Sequence, residues 1–314
     1  MIIAVFPGQG SQTPGFLAPW LELDGARERL DEFSELSEVD LVAAGTEWDA
    51  DRIRDTRVAQ PLIVAASLLS WSALGAPQGA VSGVAGHSVG EISALVAGGV
   101  LSDADGMRLV GLRGRAMADA AALEQTGMSA VLGGDQDAVL ARLAELDLTP
   151  ANYNGGGQIV AAGARDALTA LAEAPPASTR VITLQVAGAF HTRYMAPAVS
   201  ALRAAADGVS AADPNVRLWT NHDGTIVTDG RAALDLLVNQ VASPVRWDLC
   251  MASFAEHDVT GIIEFSPAGT LTGLAKRALR GTPTVAVKTP DDLPAAVDLI
   301  RSAAEAASTT GGLA

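Results

Sequence analysis

Short apolar runs alternate with longer stretches of helical periodicity over the first 125 residues. The apolar runs Ile2–Phe6 and 81–85 have the length of buried strands. The stretches 59–74, 91–101 and 103–123 repeat apolar residues at the spacing of a helix that buries one face. Strands that alternate with helices in this way predict a mostly parallel sheet covered by helices on both faces.

The rhythm changes in the middle of the chain, where short strands become more frequent. The order is β-α-β-β-α-β, that of a ferredoxin-like unit, so we expect residues 125–191 to form a small subdomain inserted into a larger one. The predicted segments are strands at 128–133, 149–153, 158–163 and 180–187 and helices at 135–146 and 165–173.

After residue 191 the α/β pattern returns. The pattern therefore predicts one large α/β domain made of residues 1–124 and 192–306, followed by a flexible tail at 307–314. The segments predicted in the returning half are strands at 216–220, 261–265 and 284–287 and helices at 193–207, 230–241, 247–256, 270–279 and from 291 onward.

The strongest chemical signal lies between the strand at 81–85 and the helix that follows it. Residues 86–90 read GHSVG, a G-x-S-x-G sequence in a strand–turn–helix context. The two glycines permit a turn too sharp for a Cβ, so the hydroxyl of Ser88 stands exposed at the strand tip. We interpret Ser88 as a nucleophile, with an ordinary structural turn as the alternative.

A serine nucleophile needs a base and donors for an oxyanion. The backbone N–H of Val89 is one expected donor, since it follows the nucleophile at a helix N-terminus. The loop at residues 8–10, GQG, is a candidate for the second donor, or an ordinary glycine turn. Among the histidines, His191 is the favoured base because it ends a strand-like run where the chain returns from the small subdomain. His87 lies on the elbow itself, and the other two are interpreted as surface or structural residues: His222 and His257.

Two arginines lie on the apolar helix at 103–123, and one of them is a candidate for binding a substrate. Arg113 and Arg115 are surface residues unless one points inward. An inward guanidinium needs a carboxylate, because an unpaired buried charge is costly. No acidic residue of the chain is obviously assigned to that role, whereas the carboxylate of a substrate would fill it.

Charge and composition exclude several classes of partner. The net charge is −15, which disfavours nucleic acid and anionic membrane surfaces. The single cysteine, Cys250, cannot form an internal disulfide and is expected to be a buried structural thiol. We find no secretory signal pattern and no uninterrupted apolar run of membrane-spanning length. A cytoplasmic protein without metal or cofactor is the expectation.

Several motifs together resemble the malonyl-CoA:acyl carrier protein transacylases and the related acyltransferase domains of polyketide and fatty-acid synthases. They occur in the family's order and cover about residues 1 to 290. The matching pieces are FPGQGSQ at 6–12, GHSVGE at 86–91, LRGR at 112–115, NYN at 152–154, QIV at 158–160, GAFH at 188–191 and LTGL at 271–274.

The resemblance implies a fold, an activity and a role for each matching residue. The fold is an α/β-hydrolase-like domain with a ferredoxin-like insert, and the activity is transfer of malonyl from malonyl-CoA to an acyl carrier protein in type II fatty-acid synthesis. Ser88 is then the nucleophile and His191 its base. The remaining roles are oxyanion donors at Gln9 and Val89, a malonyl carboxylate ligand at Arg113 and a main-chain carbonyl that orients the base at Gln240.

The resemblance also bears on selectivity and on the partner. Phe190, before the base, implies a preference for malonyl over methylmalonyl, or is simply part of the core. An acidic carrier protein needs a local basic patch on this acidic chain. The segment 274–280 offers one, in which Lys276 and Arg280 are expected to stack on successive helical turns: Lys276, Arg277 and Arg280. A solvated helix face is the alternative. Where relatives often have Ser-Pro-Gly after Asn154, this chain has GGG at 155–157.

Two other functions share these residues. A stand-alone acyltransferase that serves a polyketide synthase differs only in its carrier protein. A serine hydrolase or thioesterase shares the elbow and the base but leaves Arg113 unexplained. We expect a monomer whose partners are malonyl-CoA and an acyl carrier protein.

Overall fold

The structure is a computed structural model that describes residues 1–76 and 79–311. Two sheets organise it, and their strands, in chain order, are β1 Ile2–Phe6, β2 Gly83–Gly86, β3 Thr126–Gly133, β4 Thr149–Gly155, β5 Gln158–Ala164, β6 Thr179–Thr183, β7 Arg217–Trp219, β8 Ile226–Val227, β9 Val245–Arg246, β10 Gly261–Glu264 and β11 Thr284–Ala286.

The α-helices are α1 Ala26–Ser37, α2 Leu41–Thr46, α3 Ala50–Arg54, α4 Thr56–Leu74, α5 Gly90–Ala97, α6 Asp103–Ala121, α7 Gln136–Glu145, α8 Arg165–Glu173, α9 Ala196–Asp207, α10 Gly230–Gln240, α11 Trp247–Glu256, α12 Thr270–Ala278 and α13 Leu293–Gly311. Three short 3₁₀ helices precede α1, α9 and α13: Ala18–Glu22, Arg193–Met195 and Pro290–Asp292.

The larger sheet has the strand order β11-β10-β1-β2-β7-β8. All neighbours are parallel except β8, which pairs antiparallel with β7 at one edge. Strands β1 and β2 are buried along their whole length, as the apolar runs predicted. In a parallel sheet the carboxyl ends of neighbouring strands meet at one edge, so β1 and β2 present their following loops side by side.

The smaller sheet has the strand order β6-β3-β5-β4-β9. Its first four strands pair antiparallel in the order of a ferredoxin-like unit, and they come from the β-α-β-β-α-β segment. The fifth strand, β9, comes from beyond residue 191 and pairs parallel with β4. This two-residue strand ties the inserted sheet to the returning half of the chain and was not predicted from the sequence.

Some element boundaries differ from the sequence predictions. Strand β6 ends at Thr183 instead of residue 187, so residues 184–187 form a loop. Helix α12 ends at Ala278, which places Arg280 beyond the helix. The predicted stacking of Lys276 and Arg280 on successive turns is therefore wrong. Helix α13 continues to Gly311, and residues 312–314 of the predicted tail lie outside the described residues.

Helix α4 packs within the main hydrophobic core of the protein. Among the described residues, α4 is the one helix whose length and composition alone would allow it to cross a membrane. Arg57 and Gln60 interrupt its apolar sequence, so it is not an uninterrupted apolar run of membrane-spanning length. In addition, 72% of an 18-residue stretch of this helix is buried inside the protein. A helix that is apolar on nearly all sides is what a core position requires, and α4 fits that role.

Candidate active site

The turn between β2 and α5 places Ser88 at the carboxyl edge of the larger sheet. Ser88 has a φ of 53°, in the left-handed region that costs a non-glycine residue free energy. A Cβ on Gly86 would lie 2.0 Å from the carbonyl oxygen of Gly90, and one on Gly90 would lie 2.2 Å from that of Phe6. Both glycines are therefore required by close backbone contacts, as the G-x-S-x-G pattern predicted.

The hydroxyl of Ser88 is paired with a histidine from the end of the inserted segment. Ser88 Oγ lies 2.7 Å from His191 Nε2, and His191 Nδ1 donates to the backbone carbonyl of Gln240 at 2.8 Å. That carbonyl fixes the proton on Nδ1 and leaves Nε2 free to accept the serine proton. Burial, and secondly the charge of Arg113, lower the pKa of His191 to about 3, so the imidazole is neutral at physiological pH.

The other histidines occupy different surroundings. His87 points toward the inserted sheet, where its Nε2 donates to Asn154 Oδ1 at 2.8 Å. Burial lowers the pKa of His87 as well. His222 is exposed, and His257 donates to the carbonyl of Ser253 at 2.8 Å. Of the four, His191 is the one that contacts the hydroxyl of the elbow serine.

Arg113 points into the protein and ends in the same cleft as Ser88 and His191. The side chain is buried, and its two Nη atoms donate to the amide oxygens of Gln60 at 2.6 Å and Gln240 at 2.9 Å. Within the described part of the chain, its Nε has no hydrogen-bond partner. Burial lowers the pKa of Arg113 to about 10, which still leaves the guanidinium charged at neutral pH.

The neighbouring arginine behaves as a surface residue. Arg115 donates to the carbonyl of Ser37 at 3.0 Å and pairs with Glu38 at 3.3 Å. The sequence left open which of the two arginines points inward, and the structure selects Arg113. Among the described residues its hydrogen-bond acceptors are two neutral amides instead of a carboxylate, so its buried positive charge has no ion-pair partner there.

A cleft of about 500 Å³ joins these groups between the two sheets. Gln9, Val89 and Phe190 line it, and the smaller sheet contributes Asn152 and Gln158. Among the described residues, the backbone N–H groups of Gln9 and Val89 donate to no protein acceptor. Phe190 is buried and belongs to the main core as well as to the cleft wall.

Three polar residues beneath the cleft were not singled out from the sequence. Asn221 follows β7 and accepts the backbone N–H of Ser88 at 2.8 Å through its Oδ1. Glu91, on α5, accepts the backbone N–H of Asn221 at 3.0 Å and the side-chain amide of Gln240. The third of these polar residues is Gln60, whose side-chain oxygen accepts a hydrogen bond from Arg113. For Gln60 and Glu91, a polar residue inside an apolar run is the signal that could have drawn attention to them, whereas Asn221 stands in a polar segment that gives no such signal.

The three predicted docking residues are exposed, and Arg277 is the one of them that lines the cleft. Lys276 and Arg277 lie on the last turn of α12, and Arg280 follows it. Arg277 Nη2 donates to Gln158 Oε1 at 3.2 Å, so this side chain bridges α12 and the inserted sheet at the mouth of the cleft. The turn at residues 155–157 lies beside it, with φ values of 71°, 57° and 76° that favour glycine.

A larger groove of about 1160 Å³ lies elsewhere, between α4, α6 and α8. It contains three arginines, and each is already engaged. Arg54 pairs with Asp51 and Arg57 with Asp119, both at 2.6 Å, while Arg165 donates to a backbone carbonyl. The serine and histidine of the elbow do not line it. Size alone therefore does not identify the site, and the chemistry favours the smaller cleft.

The described residues hold no group of three or more His, Cys, Asp or Glu side chains placed to bind a metal ion. Cys250 is fully buried, and its Sγ donates to the carbonyl of Thr220 at 3.3 Å. Burial raises the pKa of this thiol well above its usual value, which suits a structural residue.

Comparison with known proteins places this geometry in a family. Residues 3–311 match the family model described as an acyl transferase domain. The chain is 54% identical to the malonyl CoA-acyl carrier protein transacylase of Mycobacterium tuberculosis (strain ATCC 25618 / H37Rv) over 297 residues, which cover 93% of this chain and 98% of the relative. The chain belongs to the malonyl CoA-acyl carrier protein transacylase family.

Further members of the family agree with this assignment. The Escherichia coli (strain K12) transacylase is 34% identical over 94% of this chain and 98% of its own. The crystal structure of the M. tuberculosis transacylase matches with a TM-score of 0.90, over 93% of this chain and 98% of that chain. Another match, at 31% identity and a TM-score of 0.89 over 95% and 99% of the two chains, is a malonyl-transacylase in complex with its type II PKS acyl-carrier protein. The predicted fold class and family resemblance are confirmed.

Proposed function

We propose that this protein transfers a malonyl group from malonyl-CoA to the phosphopantetheine thiol of an acyl carrier protein. The observation that carries the proposal is a buried, charged Arg113 in the same cleft as the Ser88–His191 pair. Within the described residues its guanidinium donates to two amide oxygens and to no carboxylate, so it suits a substrate that brings its own carboxylate. Relatives with more than 90% coverage carry this activity in their names.

The first half-reaction acylates the serine. His191 Nε2 takes the proton of Ser88 as the hydroxyl oxygen attacks the thioester carbonyl of malonyl-CoA. The developing oxyanion accepts hydrogen bonds from the free backbone N–H groups of Gln9 and Val89. Each of these bonds stabilises the transition state by about 3 kcal/mol. The tetrahedral intermediate collapses, the C–S bond breaks, and His191 returns the proton to the leaving CoA thiolate. Malonyl-CoA is a substrate, and the mechanism uses no cofactor.

The second half-reaction transfers the malonyl group to the carrier. His191 takes the proton of the phosphopantetheine thiol, and the sulfur attacks the ester carbonyl of malonyl-Ser88. The same two N–H groups stabilise the second oxyanion, and Ser88 leaves with the proton from His191. Arg113 holds the malonyl carboxylate through both halves, which orients the acyl group and favours diacids. The two halves form a ping-pong cycle.

The carrier protein docks at the exposed cations beside the cleft mouth. Acyl carrier proteins are acidic and this chain carries a net charge of −15, so a local positive patch must offset long-range repulsion. Lys276 and Arg277 at the end of α12, with Arg280 just beyond it, provide that patch. Arg277 also lines the cleft, so a carrier bound there is close to the entry for its phosphopantetheine arm.

The biological setting follows from the carrier that is used. We assign the activity to type II fatty-acid synthesis in the cytoplasm, by a monomeric enzyme; the relatives named above, which are malonyl CoA-acyl carrier protein transacylases, support the transfer to a carrier protein. The relative solved with a type II PKS acyl-carrier protein makes polyketide synthesis the second candidate. A hydrolase leaves the buried Arg113 without a purpose.

Transfer assays with purified carriers test the proposal. The enzyme should convert holo carrier protein to malonyl carrier protein, at a rate far above hydrolysis of malonyl-CoA. Competition between a fatty-acid carrier and a polyketide carrier from the same genome separates the two settings by kcat/KM. Release of free malonate without any carrier product would contradict transfer and favour the hydrolase.

A further inference from the structure

Glu91 is a buried carboxylate that the mechanism does not use. It lies in the first turn of α5, three residues after the nucleophile, with 4% of its surface exposed. Its Oε1 accepts the backbone N–H of Asn221, and its Oε2 accepts the side-chain amide of Gln240. A buried carboxylate is retained at a cost in free energy, so its placement calls for a function in the site.

The orientation of the Asn221 amide is fixed by backbone groups. Its Oδ1 accepts the N–H of Ser88 at 2.8 Å, and its Nδ2 donates to the carbonyl of Gly86 at 2.7 Å. Neither backbone group can exchange its role as donor or acceptor. Asn221 therefore presents an oxygen to Gln240, whose Nε2 donates to it at 3.2 Å.

Gln240 is oriented in turn by two acceptors. Its Nε2 faces the Asn221 oxygen and the carboxylate of Glu91, which leaves its Oε1 to accept Arg113 Nη2 at 2.9 Å. An ionised carboxylate can only accept hydrogen bonds, so it excludes the flipped amide. The backbone carbonyl of the same Gln240 orients His191. One residue thus links the base and the carboxylate ligand, and Glu91 sets its direction.

We propose that Glu91 is a positioning residue that aims Arg113 at the substrate carboxylate by fixing the amide of Gln240. The inference rests on the proposed function, because it concerns how the malonyl group is held. Burial raises the pKa of Glu91 to about 7, with Asn221, Arg113 and Gln240 among the groups that lower it, so the carboxylate is ionised at mildly basic pH.

The substitution Glu91→Gln tests the role of the carboxylate. The new amide must keep its oxygen toward the N–H of Asn221, which turns its NH₂ toward Gln240. The NH₂ of Gln240 then faces a second NH₂ group, or the Gln240 amide flips and presents its NH₂ to Arg113. Either arrangement removes one of the hydrogen bonds that connect position 91 through Gln240 to Arg113. At pH 8 we expect kcat/KM for acylation by malonyl-CoA to fall about tenfold, with acylation by acetyl-CoA changed far less.

A double-mutant cycle separates this positioning role from a merely structural one. Gln240→Met removes the side chain and keeps the backbone carbonyl that orients His191. Adding Glu91→Gln to Gln240→Met should have little further effect on the malonyl-to-acetyl ratio. Gln60→Met is the matched control, because Gln60 also bonds Arg113 but does not contact Glu91. The effect of Glu91→Gln should persist largely intact in that background.

Labelling of Ser88 by phenylmethylsulfonyl fluoride, which has no carboxylate, serves as a second readout and should stay within a few-fold of the wild type. An unchanged malonyl-to-acetyl ratio in Glu91→Gln, or equal coupling to Gln240 and Gln60, would overturn the inference. So would equal loss of malonyl, acetyl and sulfonyl labelling. If Glu91→Gln does not fold, Gln240→Met alone must lower the ratio. A wild-type enzyme that fails to accept malonyl at all would instead refute the proposed function.

Discussion

The structure allows us to calculate how much transition-state stabilisation the substitution Arg113→Ala should remove. A guanidinium carries five N–H donors. Two of them donate to Gln60 and Gln240, and the remaining three include the Nε–H, which has no partner in the described part of the chain. A malonyl carboxylate can therefore bind through two parallel hydrogen bonds without displacing either glutamine.

The expected loss follows from those two bonds. Hydrogen bonds to charged groups are worth about 1.5–3 kcal/mol each. With the two bonds taken near the lower end of that range, at about 1.5–2 kcal/mol each, Arg113→Ala should lose about 3–4 kcal/mol of transition-state stabilisation toward malonyl-CoA. This corresponds to about two to three orders of magnitude in kcat/KM. Acetyl-CoA has no carboxylate, and its acylation rate should change little. The malonyl-to-acetyl ratio of kcat/KM should fall by nearly the whole amount.

Single-turnover acylation of the enzyme, followed by quenched-flow mass spectrometry, measures both substrates in the first half-reaction alone. The alanine variant also leaves the amide oxygens of Gln60 and Gln240 without their donor, so thermal unfolding must be recorded alongside. Because acetyl transfer in the same preparation reports any loss of fold, the ratio isolates the carboxylate contact. A ratio that stays at the wild-type value would refute the role of Arg113.

Three further predictions concern selectivity, docking and pH. Phe190→Ser should raise the methylmalonyl-to-malonyl ratio of kcat/KM. The rise should correspond to no more than about 1–3 kcal/mol, the discrimination that a pocket achieves against one methyl group. An unaltered ratio in a folded variant would leave Phe190 as a core residue only. Reversal of Lys276 and Arg277 to Glu should raise the KM for carrier protein and weaken its salt dependence, with acylation by malonyl-CoA retained; equal loss in both half-reactions contradicts the docking role. The kcat/KM for malonyl-CoA should fall as the pH drops through about 7, because Glu91 gains a proton there. Titration of His191 does not cause this fall, since the pKa of His191 lies near 3. A loss of kcat/KM near pH 7 that persists in Glu91→Gln would contradict this prediction.

Much of the fold follows from local pattern. The buried strands β1 and β2, the ferredoxin-like order of the insert and the helices around the elbow have periodicities strong enough to be identified from one sequence. The two-residue strands β8 and β9 escape such an analysis, because pairing with a distant strand defines them. The short helices α2 and α3 were missed for a similar reason, since six and five residues give too little periodicity.

The candidate site divides in the same way. Ser88 and Val89 belong to one local motif, and His191 could be chosen by its position at the end of the insert. The hydrogen bonds that support them join residues far apart in the chain: Glu91 and Gln240 are separated by 149 positions and Ser88 and Asn221 by 133. No local spacing encodes such contacts. Physical reasoning did indicate that a buried Arg113 needs a partner, but only the structure identifies the amides that provide it.

The central claim is that Ser88 carries the malonyl group between the two substrates. Intact-protein mass spectrometry after brief mixing with malonyl-CoA, followed by peptide mapping, tests it most directly. The account predicts a mass gain of one malonyl group, located on Ser88, that disappears when holo carrier protein is added and reappears as malonyl carrier protein. An adduct that persists in Ser88→Ala, or transfer to the carrier by that variant at the wild-type rate, would contradict it.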